Sequence, residues 1–173
     1  MKNTIICDID GTIADVRHRL HYIRNEDGSK KRYKDTDWDG FNKACCADAP
    51  FMDVIQLVAN AAKIGTLDSL NLYFFSGRNE VARAATITWL QTHAALCGVN
   101  WHGDKDWDKY LIMRSEGDRR PDTQIKGEMA DAAGLTPENV LAVFDDRQCV
   151  VDMWREKGFR VMQVTAWQEV TRT

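Results

Sequence analysis

The feature that most constrains this chain is an apolar run that ends in two carboxylates. The segment Ile5–Thr12 reads Ile-Ile-Cys-Asp-Ile-Asp-Gly-Thr. Apolar, β-branched runs are typical of buried strands in parallel sheets, so Asp8 and Asp10 are expected where the strand leaves the sheet. Gly11, which follows the two carboxylates, permits the backbone to turn there. Because open α/β sheets bind ligands at this edge, the segment predicts an active site there.

Composition narrows the class of protein. The chain has 173 residues, of which 44% are hydrophobic and 28% charged, and this balance is typical of one globular domain. The first residues do not form a signal peptide and no apolar stretch has membrane-spanning length, so we expect a soluble, cytoplasmic protein, of possible phage origin, with no membrane partner. Five cysteines without a metal-ligand spacing predict reduced thiols in the core. The net charge of −3 gives no general attraction to nucleic acid, so local arginines must hold any polyanion.

Strands and helices alternate along the chain. Hydrophobic periodicity predicts further strands at 70–75, 99–101, 110–113, 140–144 and 160–164, and helices at 50–64, 80–97, 125–133 and 150–157. Alternation of this kind implies right-handed crossovers and a mainly parallel sheet with helices on both faces. The polar stretch at about 15–48, with a turn within 26–32, is predicted to be a cap or lid insertion. We therefore expect a three-layer α/β fold that forms a single domain over residues 1–173.

Polar residues follow three of the predicted strands. They are Asp8 and Asp10, then Ser76 and Arg78, and finally Asp145 and Asp146. Four carboxylates at one edge would repel one another, and a hard divalent cation such as Mg²⁺, which takes oxygen ligands, would relieve that repulsion. Any one pair taken alone is equally compatible with a helix N-cap or a solvated loop.

These residues carry a resemblance to known enzymes. The segment Asp8-Ile-Asp-Gly-Thr, Ser76 after a strand, Lys126, and Asp145-Asp146 resemble the four motifs of the haloacid dehalogenase (HAD) superfamily. A closer resemblance is to the 3′-phosphatase domain of phage polynucleotide kinase-phosphatase. It rests on an arginine after the first motif, on Ser-Gly-Arg, on Arg-x-x-Asp-x-x-x-Lys and on Asp-Asp-Arg, and the segments 114–126 and 144–158 are its most specific parts. The resemblance implies a HAD-like Rossmannoid fold.

The resemblance also implies catalytic roles. Asp8 is expected to be the nucleophile and to form an aspartyl-phosphate, while Asp10 serves first as general acid and then as general base. Ser76 and Lys126 are expected to hold the phosphoryl oxygens during transfer. Asp145 is expected either to support Lys126 or to join the surroundings of the metal.

Metal and substrate residues follow from the same resemblance. It implies Mg²⁺ bound by Asp8, by the backbone carbonyl of Asp10 and by Asp146, although the choice between Asp145 and Asp146 stays open. Five further residues are expected to bind substrate, and they are Thr12, Arg19, Gly77, Arg78 and Asp122. Arg19 could equally be a solvated loop charge. Asp122 lies one helical turn before Lys126, where it could orient the ammonium or cap the helix.

The expected function is hydrolysis of a phosphomonoester, with removal of the 3′-phosphate from nucleic-acid ends as the specific reaction. The alternative is a nucleotidase that acts on 3′- or 5′-mononucleotides or on another small phosphoester. A third possibility, from another class, is a module that binds phosphorylated ends without turnover. No G-x-x-x-x-G-K-[ST] loop occurs, so this chain is not expected to phosphorylate 5′ ends, and a separate kinase or ligase is a possible partner. Trp38, Trp101 and Trp107 could stack on a base, but packing explains them equally well. The oligomeric state stays open.

Overall fold

The computed structural model describes residues 2–63, 70–96 and 107–164. The strands are β1 (Thr4–Asp8), β2 (Ala14–Asp15), β3 (Ala49–Pro50), β4 (Asn71–Asn79), β5 (Leu111–Arg114), β6 (Val140–Asp145) and β7 (Val161–Gln163). The helices are α1 (Trp38–Lys43), α2 (Met52–Lys63), α3 (Arg83–Leu96), α4 (Trp107–Tyr110), α5 (Asp122–Ala132) and α6 (Gln148–Glu156). None of the helices in these ranges is long and apolar enough to cross a membrane.

Five strands form one parallel sheet in the order β5-β4-β1-β6-β7. The central strand β1 is buried along its whole length because both faces of the sheet are covered. Ile5 packs with Val58 of α2 and Leu90 of α3 on one face, whereas Ile6 packs with Met129 of α5 and Trp154 of α6 on the other. The predicted α/β fold, with a mainly parallel sheet between two helical layers, is confirmed.

Several element boundaries differ from the prediction by one to four residues. β4 continues to Asn79, so the Ser-Gly-Arg segment is part of the strand rather than the loop after it. α5 begins at Asp122, three residues earlier than predicted, because Pro121 occupies the N-cap position and its fixed φ suits a helix entry. Tyr110 belongs to α4 and not to β5. The predicted strand at 99–101 and the predicted helix ends at 64 and 97 lie outside the described residues.

The stretch predicted as an insertion lies between two short strands. β2 and β3 pair antiparallel and bring the two ends of residues 15–48, here called the cap, together. The cap consists of α1 and three 3₁₀ turns at Arg17–Tyr22, Tyr33–Asp35 and Ala44–Ala47. It buries two charged side chains, Arg19 and Asp48, although about half of its residues are exposed.

Candidate active site

The predicted site residues converge at the carboxyl ends of three adjacent strands. β1 lies between β4 and β6, and its register places Asp8 beside Phe75 and Cys7 beside Phe144. The polar residues that follow these positions therefore come from neighbouring strands. Asp8, Ser76 and Asp145 are all buried, so this edge of the sheet is largely removed from water.

Asp8 is held at both carboxylate oxygens. Its Oδ1 accepts a hydrogen bond from Nζ of Lys126 at 2.7 Å, and its Oδ2 accepts one from the hydroxyl of Thr12 at 2.9 Å. Lys126 also donates to Oδ2 of Asp145 at 2.8 Å. The ammonium thus bridges Asp8 and Asp145, and Asp145 supports Lys126, which is one of its two expected roles.

Lys126 reaches this position from α5 with a buried side chain. Burial alone would lower the pKa of the ammonium, but the carboxylates of Asp145 and Asp8 outweigh burial and raise it well above its ordinary value. Lys126 is therefore a fixed positive charge beside Asp8.

Asp8, Asp145 and Asp146 form a cluster of carboxylates. Each offers an oxygen that lies within 4.8 Å of the others. Burial and the neighbouring acids raise the pKa of Asp8 to about 7, against the lowering effect of Lys126. Burial, with the charges of Asp8 and Asp145, raises the pKa of Asp146 to about 8. Three buried carboxylates with a single lysine between them are a donor set that suits a hard divalent cation.

Thr12 lies inside this cluster rather than at its rim. Its hydroxyl is bonded to Asp8, and the same oxygen lies 3.4 Å from Oδ1 of Asp146. Ser76 is also fully buried, and its Oγ accepts a hydrogen bond from the backbone N–H of Arg78 at 3.1 Å. The hydroxyl of Thr12 thus lies among the charged groups of the site, whereas that of Ser76 is bonded to the backbone of its own strand.

A second group of charges surrounds Asp10. Its Oδ1 accepts hydrogen bonds from Nη2 of Arg19 and from Nε of Arg78, both at 2.8 Å. Burial would raise the pKa of Asp10, but the guanidiniums of Arg78 and Arg19 together hold it below its ordinary value. Both arginine side chains are fully buried, so Arg19 is not a solvated loop charge.

Asp48 completes this group, and the sequence analysis missed it. Its buried carboxylate accepts from Nε and Nη2 of Arg19, both at 2.7 Å, and from Nη2 of Arg78 at 2.6 Å. Nε2 of His18 lies 2.9 Å from the same carboxylate, and the backbone carbonyl of Asp48 accepts from the indole of Trp89 at 2.8 Å. The signal in the sequence was indirect. Two buried arginines beside a single aspartate would leave one positive charge unpaired. A second carboxylate is therefore needed, and the cap has to provide it.

Asp122 lies at a third position, and here the prediction needs correction. Its carboxylate accepts from Nη2 of Arg114 and from Nη1 of Arg147, whereas Lys126 donates to Asp8 and Asp145 instead. The two guanidiniums, which come from β5 and from the end of β6, compete successfully for the carboxylate. Asp122 also does not cap α5, because it is the first residue of the helix and not its N-cap.

Gly77 lies directly under Asp122. A Cβ atom at this position would come within 2.9 Å of Oδ1 of Asp122, which two arginines hold in place. Arg114 also donates to the backbone carbonyl of Gly77 at 3.0 Å. Gly77 thus lets the β4 backbone approach the Asp122 carboxylate closely.

The amino-acid sequence matches a known family over nearly its whole length. Residues 2–167 match the family model of the polynucleotide kinase PNKP phosphatase domain. The chain belongs to this family. It is therefore a phosphatase of the polynucleotide kinase/phosphatase type within the HAD superfamily, and the predicted resemblance and enzyme class are confirmed.

Two relatives are about a quarter identical to this chain in amino-acid sequence. A protein of Autographa californica nuclear polyhedrosis virus, which bears the name bifunctional polynucleotide kinase/RNA ligase, is 27% identical over 152 residues. That match covers 88% of this chain but 18% of the viral protein. A chain in the structure of the Pnkp1/Rnl/Hen1 RNA repair complex is 26% identical with a TM-score of 0.66, over 94% of this chain and 42% of that one. This chain therefore spans less than half the length of either relative.

More distant structures share the fold. The class C acid phosphatase from Bacillus anthracis is 16% identical with a TM-score of 0.54, over 96% of this chain and 67% of that one. HAD phosphatases generally use a divalent metal, and the cluster of Asp8, Asp145 and Asp146 is the acidic group that would hold one here.

Proposed function

We propose that this chain is a Mg²⁺-dependent polynucleotide 3′-phosphatase that works through a phosphorylated Asp8. The observation that carries this proposal is the contact between Oδ1 of Asp8 and Nζ of Lys126 at 2.7 Å, within a buried cluster of carboxylates. A carboxylate fixed in this way can attack phosphorus, while the adjacent ammonium offsets the charge of the phosphoryl oxygens.

In the first step, an oxygen of Asp8 forms a bond to phosphorus as the bond between phosphorus and the sugar 3′-oxygen breaks. The leaving oxygen takes a proton from the carboxyl group of Asp10. Lys126 keeps its positive charge throughout because its raised pKa prevents deprotonation. Thr12 and Lys126 hold the two oxygens of Asp8, so the nucleophile cannot rotate away from the phosphate.

In the second step, water attacks phosphorus, the bond to Asp8 breaks, and inorganic phosphate leaves. Asp10 accepts the proton of that water and so recovers the proton that it gave up. Arg19 and Arg78 favour the charged form of Asp10, which suits a general base. The first step needs the protonated form of Asp10. Contact of Arg19 and Arg78 with the substrate phosphate would weaken their hydrogen bonds to Asp10 and so favour its protonation.

The cation has a definite place in this proposal. Asp8, Asp146 and the backbone carbonyl of Asp10 would hold it, and the hydroxyl of Thr12, which lies 2.9 Å from Asp8 and 3.4 Å from Asp146, marks where these two carboxylates approach each other. Its fit is supported by the raised pKa values of Asp8 and Asp146, which reflect carboxylates buried together without enough positive charge. When bound, Mg²⁺ supplies electrostatic stabilisation of the phosphoryl oxygens.

The substrate assignment rests on the family and on its relatives. One relative is named as a polynucleotide kinase/RNA ligase and another belongs to an RNA repair complex, so a nucleic-acid end is the substrate class that we propose. We also propose that a separate kinase or ligase works on the same ends, because one relative is named as a polynucleotide kinase/RNA ligase and another is a chain of an RNA repair complex.

The test compares phosphate release from four substrates in the presence of MgCl₂ or EDTA. They are a 3′-phosphorylated oligonucleotide, the same oligonucleotide with a 5′-phosphate, and 3′- and 5′-mononucleotides. We expect release from the 3′-phosphorylated oligonucleotide to be fastest and to require MgCl₂. Faster hydrolysis of the mononucleotides would instead identify a nucleotidase.

A second measurement tests the nucleophile. Acid-quenched wild-type protein should carry ³²P from a 3′-³²P-labelled substrate, and the Asp8→Asn variant should carry none. Circular dichroism of the variant serves as the control for folding. Turnover near the wild-type rate in folded Asp8→Asn would overturn the assignment of Asp8.

A further inference from the structure

A run of basic residues lies on the cap, away from the charges that build the catalytic centre. Residues 30–34 read Lys-Lys-Arg-Tyr-Lys, and we call them the basic strip. The strip is held in place by backbone contacts. Lys30 forms an isolated bridge with Arg24, and the N–H of Lys31 donates to the carbonyl of Ile23 at 3.1 Å. The strip is therefore one arm of a hairpin-like turn with a defined path.

Three of the four basic side chains of the strip form no ion pair within the described residues. Arg32 pairs with Asp35 at 2.6 Å, but Lys30, Lys31 and Lys34 have no carboxylate partner among the described residues. The arginines of the catalytic centre differ, because each of them is bound to an aspartate. Acidic residues flank the strip at Glu26, Asp27, Asp35, Asp37 and Asp39, but the three lysine ammonium groups themselves have no ion-pair partner among the described residues. Free surface cations in a row attract a polyanion such as a phosphodiester backbone.

An exposed aromatic ring lies within this run. Tyr33 is 62% exposed, and the guanidinium carbon of Arg119 lies 4.9 Å from the centre of its ring. Trp38, which follows on α1, is 50% exposed. Cations interleaved with exposed aromatic faces are the composition of surfaces that bind single strands, because phosphates pair with the cations and bases stack on the rings.

The contact with Arg119 connects the strip to the catalytic centre. Arg119 lies three residues before Asp122, and Asp122 contacts the arginines from β5 and β6 at the carboxyl edge of the sheet. The cap therefore contacts the rest of the structure at two places near the site. Arg19 binds Asp10, and Tyr33 contacts Arg119 in the loop that leads into α5. The strip is thus joined, through Tyr33 and Arg119, to the loop that precedes Asp122 at the carboxyl edge of the sheet.

We propose that Lys30, Lys31, Tyr33 and Lys34, together with Arg119, bind the single strand that leads away from the 3′-phosphate. This inference rests on the proposed function. It specifies the contacts that a polynucleotide makes with the protein and a mononucleotide does not. The lysines contact backbone phosphates, and Tyr33, held by Arg119, stacks on a base.

The test measures how kcat/KM depends on the length of the substrate. The variants are Lys30→Ala/Lys31→Ala/Lys34→Ala and Tyr33→Ala, and the substrates are a 3′-mononucleotide and 3′-phosphorylated single strands of increasing length. In the wild type we expect kcat/KM to rise with length over the first few nucleotides. The lysine variant should reduce the ratio of oligonucleotide to mononucleotide kcat/KM by about tenfold or more, and Tyr33→Ala by about fivefold.

A matched control removes the same number of charges elsewhere. Lys2, Arg155 and Arg160 are exposed and lie near the amino edge of the sheet, opposite the site. The triple alanine variant at these positions should keep the wild-type ratio and the wild-type dependence on salt. In the lysine variant of the strip, the dependence of affinity on salt should become weaker.

A binding measurement separates this inference from the proposed function. Fluorescence anisotropy with a labelled single strand that ends in a 3′-hydroxyl requires no turnover, and DNA and RNA versions show which sugar is preferred. Loss of affinity in the strip variants, but not in the control, supports the strip even if the chain releases no 3′-phosphate. The inference is overturned if the strip variants bind as the wild type does, or if kcat/KM does not depend on length while 3′-phosphate is still released.

Discussion

Arg19 and Asp48 form a buried pair in which both Nε and Nη2 of the guanidinium lie 2.7 Å from the carboxylate oxygens. The cap contributes both residues, and Nη2 of Arg19 also donates a hydrogen bond to Asp10 of the first motif. Arg78 makes the same two connections from β4. Asp48 is thus the common anchor that fixes two guanidiniums against the proposed general acid-base.

Replacement of Asp48 by asparagine tests this anchor. The change keeps the shape of the side chain but removes the charge between two buried arginines, so we expect a loss of about 3 kcal/mol in the free energy of unfolding. We also expect kcat for a chromogenic phosphomonoester to fall by about tenfold or more, because Arg19 and Arg78 no longer fix Asp10. Urea unfolding and steady-state kinetics measure the two effects.

Asp131→Asn is the matched control for this substitution. Asp131 pairs with Lys157 at the surface, with a distance of 3.2 Å and both side chains exposed. Its loss should change the free energy of unfolding by less than about 1 kcal/mol and leave kcat unchanged. If the Asp48→Asn variant is as stable and as active as this control, Asp48 does not fix Arg19 and Arg78 in the site.

The fold, and the position of the polar residues at one edge of the sheet, could be predicted because they depend on local patterns. β1, β4 and β6 are apolar runs that end in polar residues, so parallel strands had to bring Asp8, Ser76 and Asp145 to one edge. The contacts of Asp48 and Asp122 are different in kind. Asp48 meets Arg19 across 29 positions and Arg78 across 30, and no periodicity in the sequence encodes such a pair.

Asp122 shows why correct spacing can still give the wrong contact. Four residues on a helix bring Asp122 and Lys126 to the same side of α5, as predicted. Arg114 and Arg147 nevertheless approach Asp122 from β5 and from the end of β6, and each donates a charge-assisted hydrogen bond to one of its two carboxylate oxygens. The sequence could indicate only the neighbour within the helix.

A double-mutant cycle distinguishes these two neighbours of Asp122. We expect a coupling energy of about 1–3 kcal/mol between Asp122→Asn and Arg114→Gln, because the two side chains are hydrogen-bonded and mostly buried. The cycle between Asp122→Asn and Lys126→Met should give a smaller value. Urea unfolding of the single and double variants provides both numbers. A larger coupling to Lys126 would restore the role predicted from helical spacing.

Gly77→Ala should damage both stability and activity. The added Cβ would meet the Asp122 carboxylate at 2.9 Å, and this carboxylate cannot move freely because Arg114 and Arg147 hold it. We expect a loss of about 1–3 kcal/mol, as in other overpacked sites, together with a lower kcat. Thermal unfolding and phosphate release measure the change.

Gly127→Ala is the control for that prediction. Gly127 is in α5, next to Lys126, and a Cβ there would meet the flexible end of the Lys157 side chain at 3.1 Å. Alanine is a better helix former than glycine by about 1 kcal/mol, so this variant should be as stable as the wild type or more stable. Equal behaviour of the two glycine variants would mean that the close approach at Gly77 has no energetic consequence.

The stability of the metal-free protein should decrease as pH rises. The folded-state pKa values of Asp8 and Asp146, about 7 and about 8, lie above the ordinary value of 3.8, so the folded protein holds these protons more tightly than the unfolded chain. The stabilisation that results is complete below about pH 4 and is lost as pH rises through 7 and 8. Thermal unfolding in EDTA from pH 5 to pH 9 should show this decline.

Mg²⁺ should reverse the decline, because the cation replaces the same protons. At pH 6 protons compete for Asp8 and Asp146, so the apparent affinity for Mg²⁺ should be about tenfold or more weaker than at pH 8. A fixed concentration of MgCl₂ should therefore raise Tm more at pH 8 than at pH 6. The Asp8→Asn/Asp146→Asn variant should lose both the decline in EDTA and the response to MgCl₂. An equal rise in Tm at the two pH values would mean that Mg²⁺ binds away from these carboxylates.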